Sequence, residues 1–128
     1  MVPSPSVLIV DPSDESREVL RTVLEQQGLR ILEADAGSKG LRLAERHQPD
    51  LILLDLEECG EEGDEAAFSS QFAETAAVTR TPMIVLGTAR RRARGVPLAE
   101  YVAKPYQYGP LIRRIEEMLA ATRSVAST

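Results

Sequence analysis

Four polar residues follow four apolar runs of the sequence, and together their side chains could transfer a phosphoryl group. They are Asp11, Asp55, Thr88 and Lys104. Forming an acyl phosphate requires a nucleophilic carboxylate, a cation that offsets the charge of the transferring oxygens, and donors aimed at those oxygens. Asp55 would be the nucleophile, and Lys104 and the Thr88 hydroxyl would contact the phosphate oxygens. Asp11 would help to hold Mg²⁺, a hard ion that binds carboxylate and water oxygens.

The elements that must position these residues follow from the hydrophobic pattern. Short apolar runs at 7–10, 29–34, 51–54, 83–86 and around 101–103 predict strands. Amphipathic stretches at 14–27, 38–47 and 64–80, and one that begins near Pro110, predict helices. In the first helix, Ser13 is the expected N-cap and Gly28 the expected stop. Its inward stripe is predicted at Val19, Leu20, Val23 and Leu24.

Strands without polar alternation, separated by helices, indicate a parallel sheet that is covered on both faces. The predicted fold is therefore a doubly wound α/β fold. In such folds ligands bind beyond the carboxyl ends of the strands, where the strand order reverses. The four polar residues are expected to converge at that edge.

Composition restricts the possible partners and location. The chain has 128 residues, which suits one domain, and we place the domain at 1–122 and a polar tail at 123–128. A net charge of -5 disfavours direct binding to nucleic acids or to anionic membranes. One cysteine and one histidine exclude an internal disulfide and a zinc cluster, which favours a reducing cytoplasm. No apolar run approaches the ~20 residues that span a bilayer.

Taken in order, the motifs of this chain resemble the receiver domain of bacterial response regulators. They are LIVD at 8–11, PDLILLDL at 49–56, Gly63, PMIVLGTA at 82–89 and YVAKPY at 101–106, and the resemblance extends from about Ser6 to Leu119. It implies a five-stranded flavodoxin-like sheet of order 2-1-3-4-5. It also implies a two-component signalling module rather than an enzyme, which receives its phosphoryl group from a histidine kinase or phosphotransfer protein and acts on a downstream protein.

The resemblance also implies roles for individual residues. Asp55 would be the phosphoacceptor, and Thr88 and Lys104 the phosphate contacts. Asp11 and Asp55 would hold Mg²⁺. Tyr101 would reorient together with Thr88 on activation, although it could equally be a fixed, half-buried aromatic.

Three departures from the family pattern affect the site. Pro12 stands where a second acidic residue is usual, so Mg²⁺ binding is expected to be weak. The segment after Asp55 is strongly acidic, and Glu57 could supply a metal oxygen in place of the missing one. The segment from Thr88 to Tyr101 is short and begins with several arginines, so the fourth helix is expected to be short or missing.

Two functions remain open from the sequence, with a third less favoured. The first is a phosphorylation switch centred on Asp55, which changes a protein-interaction surface. The second is a pseudo-receiver, a scaffold that binds protein partners without phosphorylation, and Pro12 and the acidic segment favour it. A flavodoxin-like cofactor binder is less favoured because no glycine-rich phosphate loop follows the first strand. The arginines at 90–94 are either solvated or paired with the acidic 57–65 segment.

Overall fold

Five strands and three helices make up the described part of the chain, which comprises residues 4–55, 80–87, 99–103 and 106–126 of the computed structural model. The strands are β1 (Ser6–Val10), β2 (Arg30–Ala34), β3 (Leu51–Asp55), β4 (Met83–Gly87) and β5 (Ala99–Ala103). The helices are α1 (Asp14–Gln26), α2 (Gly37–His47) and α3 (Tyr108–Ala126). All five predicted strands are present, with small differences at their ends.

The strands form one parallel sheet in the order β2-β1-β3-β4-β5. This order confirms the prediction of a doubly wound, flavodoxin-like α/β fold. The direction of winding reverses between β1 and β3, because β2 lies on one side of β1 and β3 on the other. Sheets of this type bind ligands beyond the carboxyl ends of the strands at the reversal, which here lies at the ends of β1 and β3.

The two faces of the sheet are covered by different helices. Successive strand residues point to opposite faces. One face packs against α1 and α3, in a cluster built from Val7, Ile9, Leu20, Leu24, Leu51, Leu53, Ile84, Leu86, Leu111, Ile112, Ile115 and Leu119. The other packs against α2, in a cluster built from Leu8, Val10, Ala34, Ala44, Ile52, Leu54, Met83 and Val85. Because β1, β3 and β4 are buried on both faces, the core fixes the positions of the residues that end them.

The start and end of α1 agree with the sequence prediction. Ser13 Oγ accepts a hydrogen bond from Ser16 N–H at 3.3 Å and so caps the helix, and such a cap contributes about 1 kcal/mol. Gly28 follows the helix with φ of 85°. This left-handed conformation suits glycine, which has no Cβ to clash.

The predicted inward stripe of α1 is wrong at Val19. Leu20 and Leu24 are fully buried and Val23 packs against the same cluster, whereas Val19 is 41% exposed. Neighbouring helix residues lie about 100° apart around the axis. The buried arc is centred on Leu20 and Leu24, and Val19 falls outside it.

Two predicted helices lie largely or wholly outside the described residues. One is the helix predicted at 64–80, and the other is the fourth helix, predicted to be short or missing after β4. Both stay predictions. The last predicted helix is present as α3, with Pro110 in its first turn, where a missing N–H is tolerated. It continues to Ala126 and so includes part of the segment that we assigned to a polar tail. Within the described ranges no helix is long and apolar enough to cross a membrane.

Candidate carboxylate site

Two buried carboxylates lie side by side where the strand order reverses. Val10 pairs with Leu54 in the parallel register of β1 and β3, so the next residues, Asp11 and Asp55, occupy adjacent positions. The Asp11 N–H donates to the Ala34 carbonyl at 3.0 Å, which extends the ladder one residue past β1. Asp11 is 2% exposed and Asp55 is 3% exposed. The structure therefore brings these two predicted site residues together.

Asp11 is held through both its main chain and its side chain. Its Oδ1 accepts from the Ser13 N–H at 2.8 Å, which makes an Asx turn, a common way to stabilise a chain reversal. Its carbonyl oxygen accepts from Arg17 Nη1 at 2.9 Å. Pro12, inside the turn, has a fixed φ and no N–H of its own. The direction of the Asp11 carboxylate is consequently well defined.

Asp55 is the last residue of β3, in the middle of the sheet. It is in register with Leu86 of β4 on one side, while the preceding Leu54 pairs with Val10 of β1 on the other. Reactive groups on regular elements are positioned more accurately than groups on loops. Asp55 thus has the rigid support that a nucleophilic carboxylate needs.

Tyr106 lies on the same side of the sheet as the two carboxylates. By alternation, Asp11 and Asp55 continue the face that α1 and α3 cover, and Tyr106 packs against the cluster on that face. Its ring meets Tyr108 edge to face, with 5.6 Å between centroids and 83° between planes. Burial raises the pKa of Tyr106 to about 12, and Tyr108, Asp11 and Asp55 add to the shift. The phenol is therefore a neutral group at physiological pH.

Thr88 and Lys104 lie outside the described residues, and their contacts with phosphate stay predictions. The strands that precede them end in register, because Gly87 of β4 pairs with Ala103 of β5. The described part of the sheet is therefore consistent with a polar edge at the ends of all four strands β1, β3, β4 and β5.

The remaining predicted residues are described only in part. Glu57, the 57–65 acidic segment and the arginines at 90–94 lie outside the described residues. Of Tyr101 the structure describes the main chain, which pairs with Val85 across β4 and β5. The predicted roles in metal binding, charge pairing and switching stay predictions.

The carboxylate pair suits Mg²⁺ in the chemistry of its donors. Mg²⁺ keeps several waters and is usually bound by one or two carboxylates rather than by a closed protein cage. One oxygen of Asp11 already accepts from Ser13 N–H, so this carboxylate offers a metal less than its full capacity. Among the described residues, no group of three or more histidine, cysteine, aspartate or glutamate side chains is placed to hold a metal. Asp11 and Asp55 therefore fit a water-rich site.

Sequence reasoning assigns no role to Arg17 or Tyr106. An arginine in the first turns of an amphipathic helix has the pattern of a solvated residue, yet the Arg17 side chain is only 13% exposed. Tyr106 ends the YVAKPY motif, two residues after Lys104, but nothing in that motif indicates contact with Asp11 and Asp55. Both residues reach the site through the packing of α1 and α3 on one face of the sheet.

Comparisons with known proteins agree with this geometry. The family model of the response regulator receiver domain matches residues 7–116. The KDP operon transcriptional regulatory protein KdpE of Escherichia coli K12 is 34% identical, over 96% of this chain and 54% of KdpE. Protein PilH of Pseudomonas aeruginosa is 29% identical, over 89% of this chain and 97% of PilH. The chain thus spans about half the length of KdpE and nearly all of PilH.

A solved structure shows the same fold. The Francisella response regulator 1452 receiver domain superposes with a TM-score of 0.79 at 21% identity, over 93% of this chain and 99% of that one. Its sheet and helices correspond to the doubly wound arrangement described above. Because the family match extends from β1 into the first half of α3, this chain belongs to the response regulator receiver domain family, the receiving module of two-component signalling.

Proposed function

We propose that this chain is a phosphorylation switch that accepts a phosphoryl group on Asp55. The observation that carries the proposal is the placement of Asp55, which is buried at the end of a central strand and adjacent in register to Asp11. A solvated strand-end aspartate would not share a buried position with a second carboxylate. Membership of the receiver family supports the same role.

The expected donor is a phosphohistidine on a histidine kinase or phosphotransfer protein. An oxygen of the Asp55 carboxylate attacks phosphorus, and the bond between phosphorus and the imidazole nitrogen breaks as the bond to the carboxylate oxygen forms. The imidazole takes up a proton as it leaves. Lys104 and the Thr88 hydroxyl are proposed to contact the phosphoryl oxygens, where fixed donors lower the barrier to transfer.

Asp11 and Asp55 are the proposed metal residues, with Glu57 as a further oxygen donor. Mg²⁺, when bound, offsets the negative charge of the transferring oxygens. Asp11 is held in direction by Ser13 N–H and Arg17. Because Pro12 offers no side-chain oxygen, we expect the affinity for Mg²⁺ to be low.

The output is proposed to be a changed protein-interaction surface. A phosphoryl group adds up to two negative charges and several strong acceptor oxygens. Thr88 and Tyr101 are the residues proposed to reorient in response, since β4 and β5 are neighbours and lead toward the same edge. The recipient would be a downstream protein, and no direct nucleic-acid or membrane contact is proposed.

Intact-mass analysis tests the proposal. The wild-type chain is incubated with Mg²⁺ and a small phosphodonor, and we expect a mass increase of one phosphoryl group that hydroxylamine removes, as it does for an acyl phosphate. Asp55→Asn should remain unmodified. Asp50→Asn is the matched control, because Asp50 is exposed and directly precedes β3 at its opposite end, and it should be modified as the wild type is.

The scaffold function is the alternative outcome of the same experiment. Pro12 is the observation that favours it, because the residue removes a side-chain oxygen next to the carboxylate pair. An unchanged wild-type mass, under conditions that modify a standard receiver domain, would reject phosphorylation on Asp55. A modified Asp55→Asn chain would place the acceptor elsewhere.

A further inference from the structure

Arg17 reaches from α1 back to the end of β1. Its Nη1 donates to the Asp11 carbonyl oxygen at 2.9 Å, and its Nη2 donates to the Asp14 carboxylate. The side chain is 13% exposed, although it belongs to the long and flexible type. Ordering such a side chain costs up to about 2 kcal/mol of conformational entropy, so several simultaneous contacts are needed to hold it there.

Those contacts bear directly on Asp11. The Asp11 N–H donates to Ala34, its carbonyl accepts from Arg17, and its Oδ1 accepts from Ser13 N–H. The contact from Arg17 comes from a helix, outside the β1 ladder and the turn itself. This contact restrains the Asp11 carbonyl, which lies between the end of β1 and the Asx turn that directs the carboxylate.

Arg21, one helical turn after Arg17, shares its partner Glu33 but lacks its contact with Asp11. Glu33 of β2 lies 3.6 Å from Arg17 Nε, and its other oxygen accepts from Arg21 Nη1 at 2.9 Å. Arg21 is 39% exposed. The two arginines therefore carry the same charge near the same glutamate. Arg17 also donates to the Asp11 carbonyl at the carboxylate site, whereas Arg21 pairs with Glu25 and Glu33.

We propose that Arg17 is a positioning residue that holds Asp11 in the geometry needed to bind Mg²⁺ at the carboxylate pair. The proposal rests on the proposed function, since it takes Asp11 and Asp55 as metal ligands. The positioning of Asp11 matters more in this chain than in one where a second acidic residue follows the aspartate. Here Pro12 leaves Asp11 as the carboxylate at the end of β1.

A positioning role and a simple charge effect predict opposite changes in Mg²⁺ affinity when Arg17 is replaced by a neutral residue. A cation near a metal site repels Mg²⁺, so loss of the Arg17 charge alone would tighten binding. Loss of positioning weakens binding, and partners that orient metal ligands typically contribute 10–100-fold to affinity. Arg17→Lys keeps the charge and removes the planar fork that reaches two acceptors, so a charge effect predicts no change in this variant.

The experiment is a calorimetric titration of Mg²⁺ into the wild type, Arg17→Lys, Arg17→Gln and Arg21→Gln at constant ionic strength. We expect affinity to fall about tenfold in both Arg17 variants and to change little in Arg21→Gln. Equal affinity in Arg17→Lys with tighter binding in Arg17→Gln would overturn the proposal in favour of a charge effect. If wild type and Arg17→Lys bind equally well, the proposed metal site stands and only the role of Arg17 fails.

Hydrogen exchange of the Ser13 amide provides a readout that does not need the metal. This N–H donates to Asp11 Oδ1, so its protection reports on the direction of the carboxylate. We expect faster exchange at Ser13 in Arg17→Lys but not in Arg21→Gln, with amides of β1 and β3 unchanged in both. Unchanged Ser13 exchange would overturn the positioning role, and a wild type that binds no Mg²⁺ would overturn both this proposal and the metal part of the proposed function.

Discussion

Pro12 leaves the end of β1 with one carboxylate, and part of that carboxylate is already engaged by Ser13 N–H. Mg²⁺ gives up its hydration reluctantly, so each protein oxygen contributes to its affinity. We therefore expect Pro12→Asp to tighten Mg²⁺ binding and to speed phosphorylation of Asp55. The measurements are a Mg²⁺ titration and the rate of mass increase with a small phosphodonor, both at fixed ionic strength so that general screening is constant.

Pro12→Ala is the control for this substitution. It removes the constraint on φ without adding an oxygen, and it should bind Mg²⁺ no more tightly than the wild type. Equal affinities for the wild type and Pro12→Asp would show that Glu57 or another acidic residue already supplies the oxygen. A gain in Pro12→Ala as large as that in Pro12→Asp would mean that the proline ring, and not a missing ligand, limits the site.

The ionisation of the Tyr106 phenol, next to the site, can be followed by absorbance. Its pKa is raised to about 12, first by burial and then by Tyr108, Asp11 and Asp55, whereas an unfolded tyrosine titrates near 10. The neutral phenol therefore stabilises the fold below about pH 10, and that contribution is lost as the pH rises through about 12. We expect phenolate absorbance in the wild type to include a late-titrating component that Tyr106→Phe loses. A late titration that persists in Tyr106→Phe would assign it to another tyrosine.

Residues of the site differ in how well the sequence reveals them. Asp11 and Asp55 are predictable because each ends an uninterrupted apolar run, and a buried parallel strand leads its last residue to the ligand-binding edge. Arg17 is not, because its contacts depend on the distance between α1 and the end of β1. No pattern in the sequence encodes that distance.

An ion pair connects the edge strand β5 to α3. Arg114 Nε donates to Glu100 Oε2 at 2.6 Å, and Nη1 donates to Glu117 at 3.0 Å. The hydrogen bond from Arg114 lowers the pKa of Glu100 below its ordinary value of 4.5. The pair therefore contributes stability above about pH 4.5, and that contribution is lost as the pH falls through the lowered pKa.

Glu100→Gln should accordingly destabilise the chain slightly at neutral pH and not at all in acid. The effect is expected to be small because both side chains are partly exposed to solvent, which screens their attraction. Urea unfolding at neutral and acidic pH measures the effect. Glu116→Gln is the control, because Glu116 is an exposed glutamate of α3, the helix that carries Arg114. A difference that is constant with pH would rule out the ion pair as its origin.

The elements were predictable to the extent that burial shows in the sequence. β1, β3 and β4 are apolar at nearly every position because both faces of the sheet are covered, and α1 has both a capping serine and a terminating glycine. Val19 was misplaced because apolar character alone does not mark the centre of a buried arc. The short or missing helix after β4 stays a prediction that rests on the length of the segment between Thr88 and Tyr101.

At the scale of the whole molecule, the carboxylate pair is attached to the most buried strands. β1 and β3 are central in the sheet and contribute to the clusters on both faces. Strands of this kind separate only when the domain unfolds, whereas edges and termini open locally at lower cost. Binding at the ends of β1 and β3 should therefore be coupled to global unfolding.

Mg²⁺ is consequently expected to raise the free energy of unfolding of the whole domain. A ligand that binds only the folded state stabilises it by about 2.7 kcal/mol at a hundredfold excess over its Kd. Because the chain carries a net charge of -5, any salt reduces its self-repulsion, so the titration is compared with NaCl at equal ionic strength. Urea unfolding should show Mg²⁺-specific stabilisation in the wild type and little in Asp55→Asn, which lacks one carboxylate of the pair. Equal stabilisation in both would mean that Mg²⁺ acts on the general negative charge, and that the buried pair at the strand ends does not bind it.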